Sequence, residues 1–544
     1  MLNYVWLALL LLGIGAAITT DIIDQNQNKY RNGESLAVTL NVEKQIQLGK
    51  PQSFNAVLHV EPANFDSFYD EKLGQSINIP AQITTQKDQT KNSIYFKVDQ
   101  TAPQIWQEMA ASSGNKDDLL GKIKIDSLIS PSSIAAQITF EEVSFLKLKE
   151  VTAAALDYAG TAVNISLGLI GVMALWLGVM KVAEDAGLIS MIAKWLKPVT
   201  KKLFPDVPSD HPAMGSMIMN ISANMLGLGN AATPFGLKAM EELNELNPEK
   251  ETATNAMCTF LAINTAGMTL IPATAIAIRA ASGSSEPAII IGTSLFGSFC
   301  ATVAGITAAK ILEKFPLKKE ARTSWLKNNL KNIFFFLGII LLISLAAYTR
   351  VDKSFAPLLQ FISPNAIKNV LQIFSTLAIP ALIIIFIGYG AIKKVKVYER
   401  FVEGAKEGFS IAVRIIPYLV AMLVAIGIFR AGGAMQWLVN VLHPITSLIG
   451  LPAEAVPMAL MRPLSGSGSL GIMAEIISVH GPDSFIGILV STFYGSSETT
   501  FYVLAVYFGA VNIKKIRHAL AAGLIADIVG VLAAIFIVRM LFGQ

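Results

Sequence analysis

Long apolar runs alternate with short polar segments over most of the chain. Runs close to the roughly 20 residues that cross a bilayer lie near 3–20, 163–181, 253–280, 287–309, 333–349, 374–392, 411–429, 484–510 and 519–541. They predict an α-helical polytopic membrane protein whose termini lie on opposite sides. The first run has no basic residue ahead of it, so we favour a retained anchor helix at 1–20 over a cleaved signal peptide.

A different pattern occupies residues 21–150. Six segments, among them SFNAVLHVEP, SIYFKVDQ and SIAAQITF, alternate apolar and polar residues as half-buried strands do, with a short helix near Gln104–Ala111. They predict a small β-rich domain, which lies outside the cytoplasm if Met1 starts inside. Because no catalytic motif occurs in it, we expect a packing module or a docking site for an envelope protein partner.

The membrane-embedded sequence occurs twice. WLKPVTKKLFP at 195–205 and VLHPITSLIGLP at 441–452 both follow a long apolar run and precede a glycine-rich break. Their charges differ, since three lysines lie in the first segment and none in the second. Later the asymmetry reverses, because NIKKIRH at 512–518 is basic and ASGSSEP at 281–287 is not. Cytoplasmic loops collect Lys and Arg, so the second copy is predicted to be inserted upside down.

Five parts follow from these patterns. They are the anchor at 1–20, the β-rich domain at 21–150, a first repeat at 151–312, a linker with two crossings at 313–400 and a second repeat at 401–544. The linker is basic at both ends, which predicts that both ends are cytoplasmic. Inverted repeats with helices that break near the midplane are an architecture of secondary transporters, whose substrate site lies where the repeats meet.

Polar residues concentrate where the apolar runs break. SANMLGLGNAATP and MRPLSGSGSLG predict re-entrant hairpins, while AINTAGMTLIP and FYGSSETTFY predict broken helices. Lipid cannot satisfy the backbone groups that such turns free, so they must lie inside protein or beside a wet cavity. Turns packed without a ligand are the alternative. The candidate solute-binding residues are Asn224, Gly227, Gly229, Asn230, Asn264, Thr265, Ser465, Gly466, Ser467, Gly468, Ser496, Ser497, Glu498 and Thr499.

Glu498 is the strongest single candidate. An ionised carboxylate inside an apolar run costs several kcal/mol unless it is paired, hydrated or protonated, and function is the default interpretation of such a residue. The alternative is a structural salt bridge to Arg462 or Arg414. Arg414 could instead pair with Asp527, which also lies in an apolar run.

Several long blocks resemble a known family. NISANMLGLGNAATPFGLKAMEELN resembles spore maturation protein A, and ALMRPLSGSGSLGIMAEI followed by STFYGSSETTFYVLAVYFGAVNIKKIRHALAAGLIADIVG resembles spore maturation protein B. The chain thus looks like a natural fusion of the two, over nearly everything except 21–150. Both belong to the Gate, or nucleoside-recognition, group, which is similar to parts of concentrative nucleoside transporters and of the ferrous-iron transporter membrane domain. The resemblance implies a Gate-type fold, and the segment around Glu498 is similar to the element with which nucleoside transporters bind solute.

Other functions find less support. No metal-binding motif occurs, and Gly466, Gly468 and Gly471 spell GxGxxG without the strand that a dinucleotide site requires. The net charge of +4 is explained by basic loops beside apolar helices, so we expect no nucleic-acid partner. Enzyme activity, a metal site and a cofactor are likewise not expected.

Two functions stay open. The first is a transporter-like protein of the bacterial inner membrane that moves a small polar solute, nucleoside-like or other, through a midplane site between the repeats. Coupling to Na or H ions and assembly into a homo-oligomer are compatible with this function. The second is a non-transport envelope or spore-maturation factor that anchors residues 21–150 outside the cytoplasm and recruits envelope partners.

Overall fold

The computed structural model of the chain describes residues 2–42, 50–112, 117–314 and 364–543, with three single positions, 327, 330 and 338. The predicted crossing at 333–349 and most of the linker around it lie outside the described residues. The chain forms two compact units. A helical unit comprises Met1–Leu7, Asp157–Ile426 and Gln436–Gln544, and a β-rich unit comprises Ala8–Leu156 and Gly427–Met435.

Six antiparallel strands of the β-rich unit close into a barrel in which each strand pairs with its sequence neighbour and the last pairs with the first. They are β1 Leu36–Asn41, β2 Gln52–Val60, β3 Ile77–Thr85, β4 Ser93–Lys97, β5 Asp118–Ser130 and β6 Ser133–Phe140. The predicted β-rich domain is therefore confirmed, and closure leaves its strands without an unpaired edge.

The barrel interior is filled by side chains. Two short helices, α2 Pro62–Tyr69 and α3 Gln104–Ala111, accompany the strands. Trp106 on α3 is fully buried, with ring centroids 5.3 Å from Phe96, 5.6 Å from Phe140 and 5.9 Å from Phe65. A small barrel normally buries its inward-facing residues in this way, so packing accounts for the interior.

The N-terminal helix α1 spans Leu2–Asn26 and extends beyond the predicted anchor. Asp21 near its end is 2% exposed and accepts hydrogen bonds of 2.8 and 3.0 Å from the backbone amides of Lys147 and Leu148. These amides open helix α4, Leu146–Asp185. Because the first amides of a helix have no partner inside it, Asp21 stabilises the point where the chain enters α4.

Two sets of seven helices correspond in order, and all but the third pair also have similar lengths. The first set is α4, α5 Leu188–Leu203, α6 Pro212–Met225, α7 Gly229–Glu245, α8 Asn255–Ala266, α9 Ala273–Ala281 and α10 Ile290–Leu312. After α11, Pro364–Ile392, comes the second set, α12 Val397–Ala431, α13 Ala434–Thr446, α14 Val456–Met461, α15 Gly466–His480, α16 Phe485–Ser496, α17 Thr500–Ala510 and α18 Ala519–Phe542. Short 3-10 turns lie at Gln89–Lys91, Pro287–Ile289, Ser447–Ile449 and Ala453–Ala455.

Within the described residues, five helical stretches are long and apolar enough to cross a membrane. They are Trp6–Asn26, Leu146–Asp185, Pro287–Leu312, Val397–Ala431 and Ala519–Phe542. The predicted runs at 253–280 and 484–510 are each split into two helices, α8 with α9 and α16 with α17. These splits are the two broken helices that the polar segments predicted.

The loops at the ends of the broken helices connect the repeats. At one end the backbone amides of Lys514 and Lys515 donate 2.9 Å bonds to the carbonyl of Glu251, and Lys514 pairs with the Glu251 carboxylate. We call these residues the lysine clasp. At the other end Arg279 and Asp483 form an ion pair of 2.9 Å, which we call the arginine clasp.

The two clasps fix the relative direction of the broken helices. The first broken helix begins beside the lysine clasp, where α8 starts, and finishes beside the arginine clasp, where α9 ends. The second begins beside the arginine clasp, where α16 starts, and finishes beside the lysine clasp, where α17 ends. The broken helices therefore run antiparallel, as inverted repeats require.

Candidate functional site

The breaks of the two antiparallel helices meet each other. In the first repeat α8 ends at Ala266, and Gly267 follows with φ of +56°. In the second, α16 ends at Ser496 and α17 starts at Thr500. The backbone amide of Glu498 donates a 2.8 Å hydrogen bond to the carbonyl of Thr265. A backbone group freed by one break is thus satisfied by the other repeat.

Each hairpin tip is bonded to the break of its own repeat in an equivalent way. The amide of Leu270 donates to the carbonyl of Met225 at 2.7 Å, and the amide of Phe501 donates to the carbonyl of Pro463 at 3.0 Å. Carbonyls at the end of a helix lack an intrahelical partner, so both bonds satisfy groups that lipid would leave unpaired.

These equivalent bonds align the repeats residue by residue. Both Leu270 and Phe501 lie three positions after a residue of the break, Gly267 in one case and Glu498 in the other. The two aligned residues face each other, because a Cβ atom at Gly267 would lie 2.6 Å from Cγ of Glu498. The meeting point of the two helix breaks, which we call the crossing, therefore has one carboxylate where a symmetric pair would have two. Gly267 leaves the space that the Glu498 carboxylate occupies.

Glu498 lies on the open side of the crossing. Its side chain is 48% exposed, whereas Ser497 and Thr499 on either side are buried. One carboxylate oxygen, Oε2, is 3.5 Å from Nη2 of Arg462, whose side chain is 4% exposed. The break thus turns this one side chain outward, while the residues on either side of it stay packed.

Arg462 is held by more than its ion pair. Its guanidinium donates to the carbonyl of Ser497 and, at 3.3 Å, to the hydroxyl of Thr499. It also lies 4.5 Å from the ring centroid of Tyr494, a cation–π distance. Arg462 therefore fixes the peptide segment on both sides of Glu498 and places a positive charge beneath the carboxylate.

The other predicted residues of the second repeat organise its hairpin tip. Ser465 accepts a 3.0 Å bond from the amide of Gly468 and so begins α15, and its hydroxyl is 3.5 Å from that of Ser467. A Cβ atom at Gly466 would lie 3.1 Å from Oγ1 of Thr499, so the tip packs closely on the break.

Predicted residues of the first repeat make further contacts between its hairpin and its broken helix. Asn224 donates to Asn264 at 2.9 Å, which joins the hairpin to α8. Gly227 has φ of +79°, and an added Cβ would lie 2.6 Å from the carbonyl oxygen of Ile271.

Two further predicted residues have hydroxyl groups that bond within their own helices. Thr265 and Ser496 direct their hydroxyls to carbonyls of their own helices, those of Ala262 and Thr492. The predicted residues Gly229 and Asn230 lie in the first turn of α7, and the side chain of Asn230 falls outside the part of the chain that the structure describes.

One expectation needs correction, and two residues were missed. Arg414 is exposed, and Asp527 contacts the hydroxyl of Thr500 at 2.6 Å, so Arg414 and Asp527 do not pair. Gly267 and Thr500 were missed as site residues. Correspondence with Glu498 could have singled out Gly267, whereas nothing in the local pattern distinguishes Thr500 from neighbouring hydroxyl residues.

The arginine clasp has its own electrostatics. Asp483 accepts hydrogen bonds from the hydroxyl of Ser284 and from the amide and hydroxyl of Ser285, the last two at 2.8 Å. Burial raises the pKa of Asp483, but these bonds and the charge of Arg279 outweigh it, so the pKa lies below the ordinary aspartate value. The carboxylate is therefore ionised near neutral pH.

Comparison with known proteins gives matches to both repeats. A family profile described as Gate, nucleoside recognition, matches residues 166–282 and 412–514. Spore maturation protein B of Bacillus subtilis is 55% identical over 176 residues, which are 32% of this chain and 99% of that protein. Spore maturation protein A of the same organism is 46% identical over 159 residues, 29% of this chain and 81% of that protein.

A more distant similarity is to the inner membrane protein YjiG of Escherichia coli. It is 32% identical over 81 residues, which are 15% of this chain and 53% of that protein. No solved structure matches the chain.

Proposed function

Since the chain belongs to the family of spore maturation proteins A and B, we propose that it is a transporter-like membrane protein that moves a small polar solute through the crossing of its broken helices. We place it in the inner membrane as a multi-pass protein, with residues 21–150 on the extracytoplasmic side. The positive-inside pattern of the basic loops supports this orientation.

One observation carries the proposal. Two helix breaks from antiparallel repeats meet, and a half-exposed carboxylate lies at their meeting point above a buried guanidinium. Broken helices at the interface of inverted repeats are where secondary transporters bind substrate and coupling ions. A turn without a ligand would need the backbone bonds but not an acidic side chain directed away from the packed interior.

The chemistry of the crossing favours a solute with several hydrogen-bonding groups. Glu498 accepts hydrogen bonds from hydroxyl or amine groups, and Arg462 neutralises it from below. A nearly neutral polar molecule with vicinal hydroxyls fits this arrangement better than a strongly charged one. Nucleosides are the first class to test, because the matching family profile is described as nucleoside recognition.

If Glu498 served only as a structural salt bridge to Arg462, its loss should lower the stability of the protein substantially. Removing one member of a fully buried ion pair costs about 3–5 kcal/mol. Glu498 is 48% exposed, and Arg462 keeps two other acceptors. Loss of the charge should then cost no more than about 1 kcal/mol, the range of exposed pairs. Glu498→Gln is therefore expected to fold and to lose solute binding.

The test is a thermal-melting screen of the detergent-purified full chain with a panel of nucleosides and other small polar solutes. A ligand at 100 times its Kd adds about 2.7 kcal/mol of stability. Glu498→Gln should abolish this gain, whereas Glu403→Gln, which alters a surface pair with Arg400, should keep it. A Glu498→Gln variant that still responds to solute removes Glu498 from the site.

A protein that neither binds nor transports solute would favour the alternative function, an envelope factor that recruits protein partners. If the wild-type protein is stabilised by none of the solutes, and proteoliposomes containing it accumulate none of them, the transport proposal fails. The barrel of residues 36–140 would then become the region in which to seek a protein partner.

A further inference from the structure

A polar residue lies behind the crossing, on the face of α18 that packs against it. Gly523, Asp527 and Gly530 are spaced as neighbours on one helical face. An added Cβ at Gly523 would lie 2.9 Å from Thr500, and one at Gly530 would lie 3.7 Å from the carbonyl of Ser496. Small residues thus bring α18 against both ends of the second break, and Asp527 is the acidic group between them.

Asp527 is buried and incompletely bonded. The residue is 5% exposed, and Oδ2 accepts a 2.6 Å hydrogen bond from the hydroxyl of Thr500. The second oxygen, Oδ1, is buried without a hydrogen-bond partner among the residues that the structure describes. An unpaired oxygen of an ionised carboxylate costs several kcal/mol in such surroundings, whereas a proton on it removes the charge.

Arg462 is linked to Asp527 through two adjacent residues, Thr499 and Thr500. The residues that contact Gly523, Asp527 and Gly530 from α8, α10, α16 and α17 are uncharged, namely Thr265, Gly297, Ala301, Ser496 and Thr500. Arg462 donates a hydrogen bond to Thr499, and the next residue, Thr500, donates to Asp527. In this structure the guanidinium of Arg462 is bonded to Ser497 and Thr499 and paired with Glu498.

We propose that Asp527 is a proton-binding site in which the carboxyl is protonated while Arg462 pairs with Glu498. The proton binds directly to the carboxylate, so the step needs no other reactant. Loss of that proton leaves an anion that competes with Glu498 for Arg462. Protonation is thereby linked to the peptide segment that carries the proposed solute site, which makes the proton the coupling ion of the proposed transporter. This last link rests on the proposed function.

Infrared spectroscopy tests the site without any solute. Wild-type protein in detergent at neutral pH should show the carbonyl stretching band of a protonated carboxyl group, and Asp527→Asn should lose that band. Thr500→Val keeps the carboxyl but removes its hydrogen-bond donor, so the band should remain and shift to higher frequency. This second variant keeps the test decisive if Asp527→Asn folds poorly.

Glu498→Gln tests the linkage. It frees Arg462 from its ion pair, so Asp527 should lose its proton at lower pH than in the wild type. Identical titrations of the band in the two proteins overturn the linkage. A wild-type spectrum without an Asp527-dependent band overturns the proton site, as does loss of the band when sodium replaces choline at constant pH. These outcomes are independent of whether any solute binds.

Discussion

Replacing Asp483 with asparagine tests the arginine clasp that holds the repeats at one end. Arg279 is fully buried and donates to Oδ1 of Asp483, while Oδ2 accepts from the amide and hydroxyl of Ser285. Asparagine keeps one acceptor but replaces Oδ2 with an amide group, which faces the Ser285 donors. The variant should therefore lose one or two bonds to a charged group together with the ion pair.

The expected cost follows from these contacts. Hydrogen bonds to charged groups contribute about 1.5–3 kcal/mol each, but the side chain of Asp483 is 41% exposed, so solvent reduces the gain. Arg279 is also not stranded, because it keeps the carbonyls of Pro287, Pro482 and Glu286. We expect a loss of about 2 kcal/mol, below the 3–5 kcal/mol of a fully broken buried pair.

The lysine clasp supplies a matched control. Glu251 and Lys514 are 62% and 70% exposed, and their loops are also joined by backbone bonds that side-chain changes leave intact. Glu251→Gln should therefore cost no more than about 0.5 kcal/mol. Denaturant unfolding of the two variants and the wild type at pH 7 measures the difference. Equal stabilities of the two variants would refute the assignment of the arginine clasp.

The pH dependence of the same comparison has a definite sign. The pKa of Asp483 is lowered in the folded protein, so its contribution is present above the ordinary aspartate value of about 3.9 and is lost as pH falls through the lower folded value. The stability difference between wild type and Asp483→Asn should be constant near neutrality and shrink below about pH 4. A difference that disappears between about pH 6 and 8 would show that another group carries the effect.

Two further predictions concern the crossing and the orientation. Gly267→Ala should lower the free energy of unfolding by about 1–2 kcal/mol, because alanine is strained in a left-handed backbone conformation, and it should also displace Glu498. Gly283→Ala introduces the same backbone strain in open space, so it should show that cost alone. Equal stabilisation of the two variants by solute in melting assays would contradict the Gly267 contact. Single cysteines at Lys201 and Ser447, in a chain without its native cysteines, should react with impermeant reagents from the cytoplasmic and outer sides respectively, and labelling from one side alone would rule out inversion.

Local patterns predicted the elements of this fold well. Alternation of apolar and polar residues is a property of each strand, so all six strands of the barrel could be recognised from their own sequence. The helix breaks were equally accessible, because Gly, Pro and hydroxyl residues interrupt apolar runs at Gly267 and Ser497. α2 was missed although α3 has the same length of eight residues. α2 buries only Phe65 and Tyr69, whereas α3 buries four residues at helical spacing and so has the clearer pattern.

Contacts between distant residues could not be predicted in this way. The exposed position of Glu498 depends on a bond to Thr265, which lies in the other repeat and far away in the sequence. Asp527 could be identified as an acidic residue in an apolar helix, but not that its partner is Thr500 instead of Arg414. Such pairings are decided by how α18 packs on the break, and single-sequence periodicity contains no information about that packing.

The contacts at the crossing also explain why two repeats are needed in one assembly. The carbonyl of Thr265 from the first repeat accepts the amide of Glu498 from the second, and Arg279 from the first repeat is neutralised by Asp483 from the second. Either repeat alone would leave the backbone groups of its break unsatisfied where lipid offers no partner, and would leave Arg279 or Asp483 without its counterion. Each of the two spore maturation relatives corresponds to less than a third of this chain. A fused chain fixes the ratio of the halves at one to one and makes the crossing an intramolecular contact, with a correspondingly high effective concentration of each half for the other.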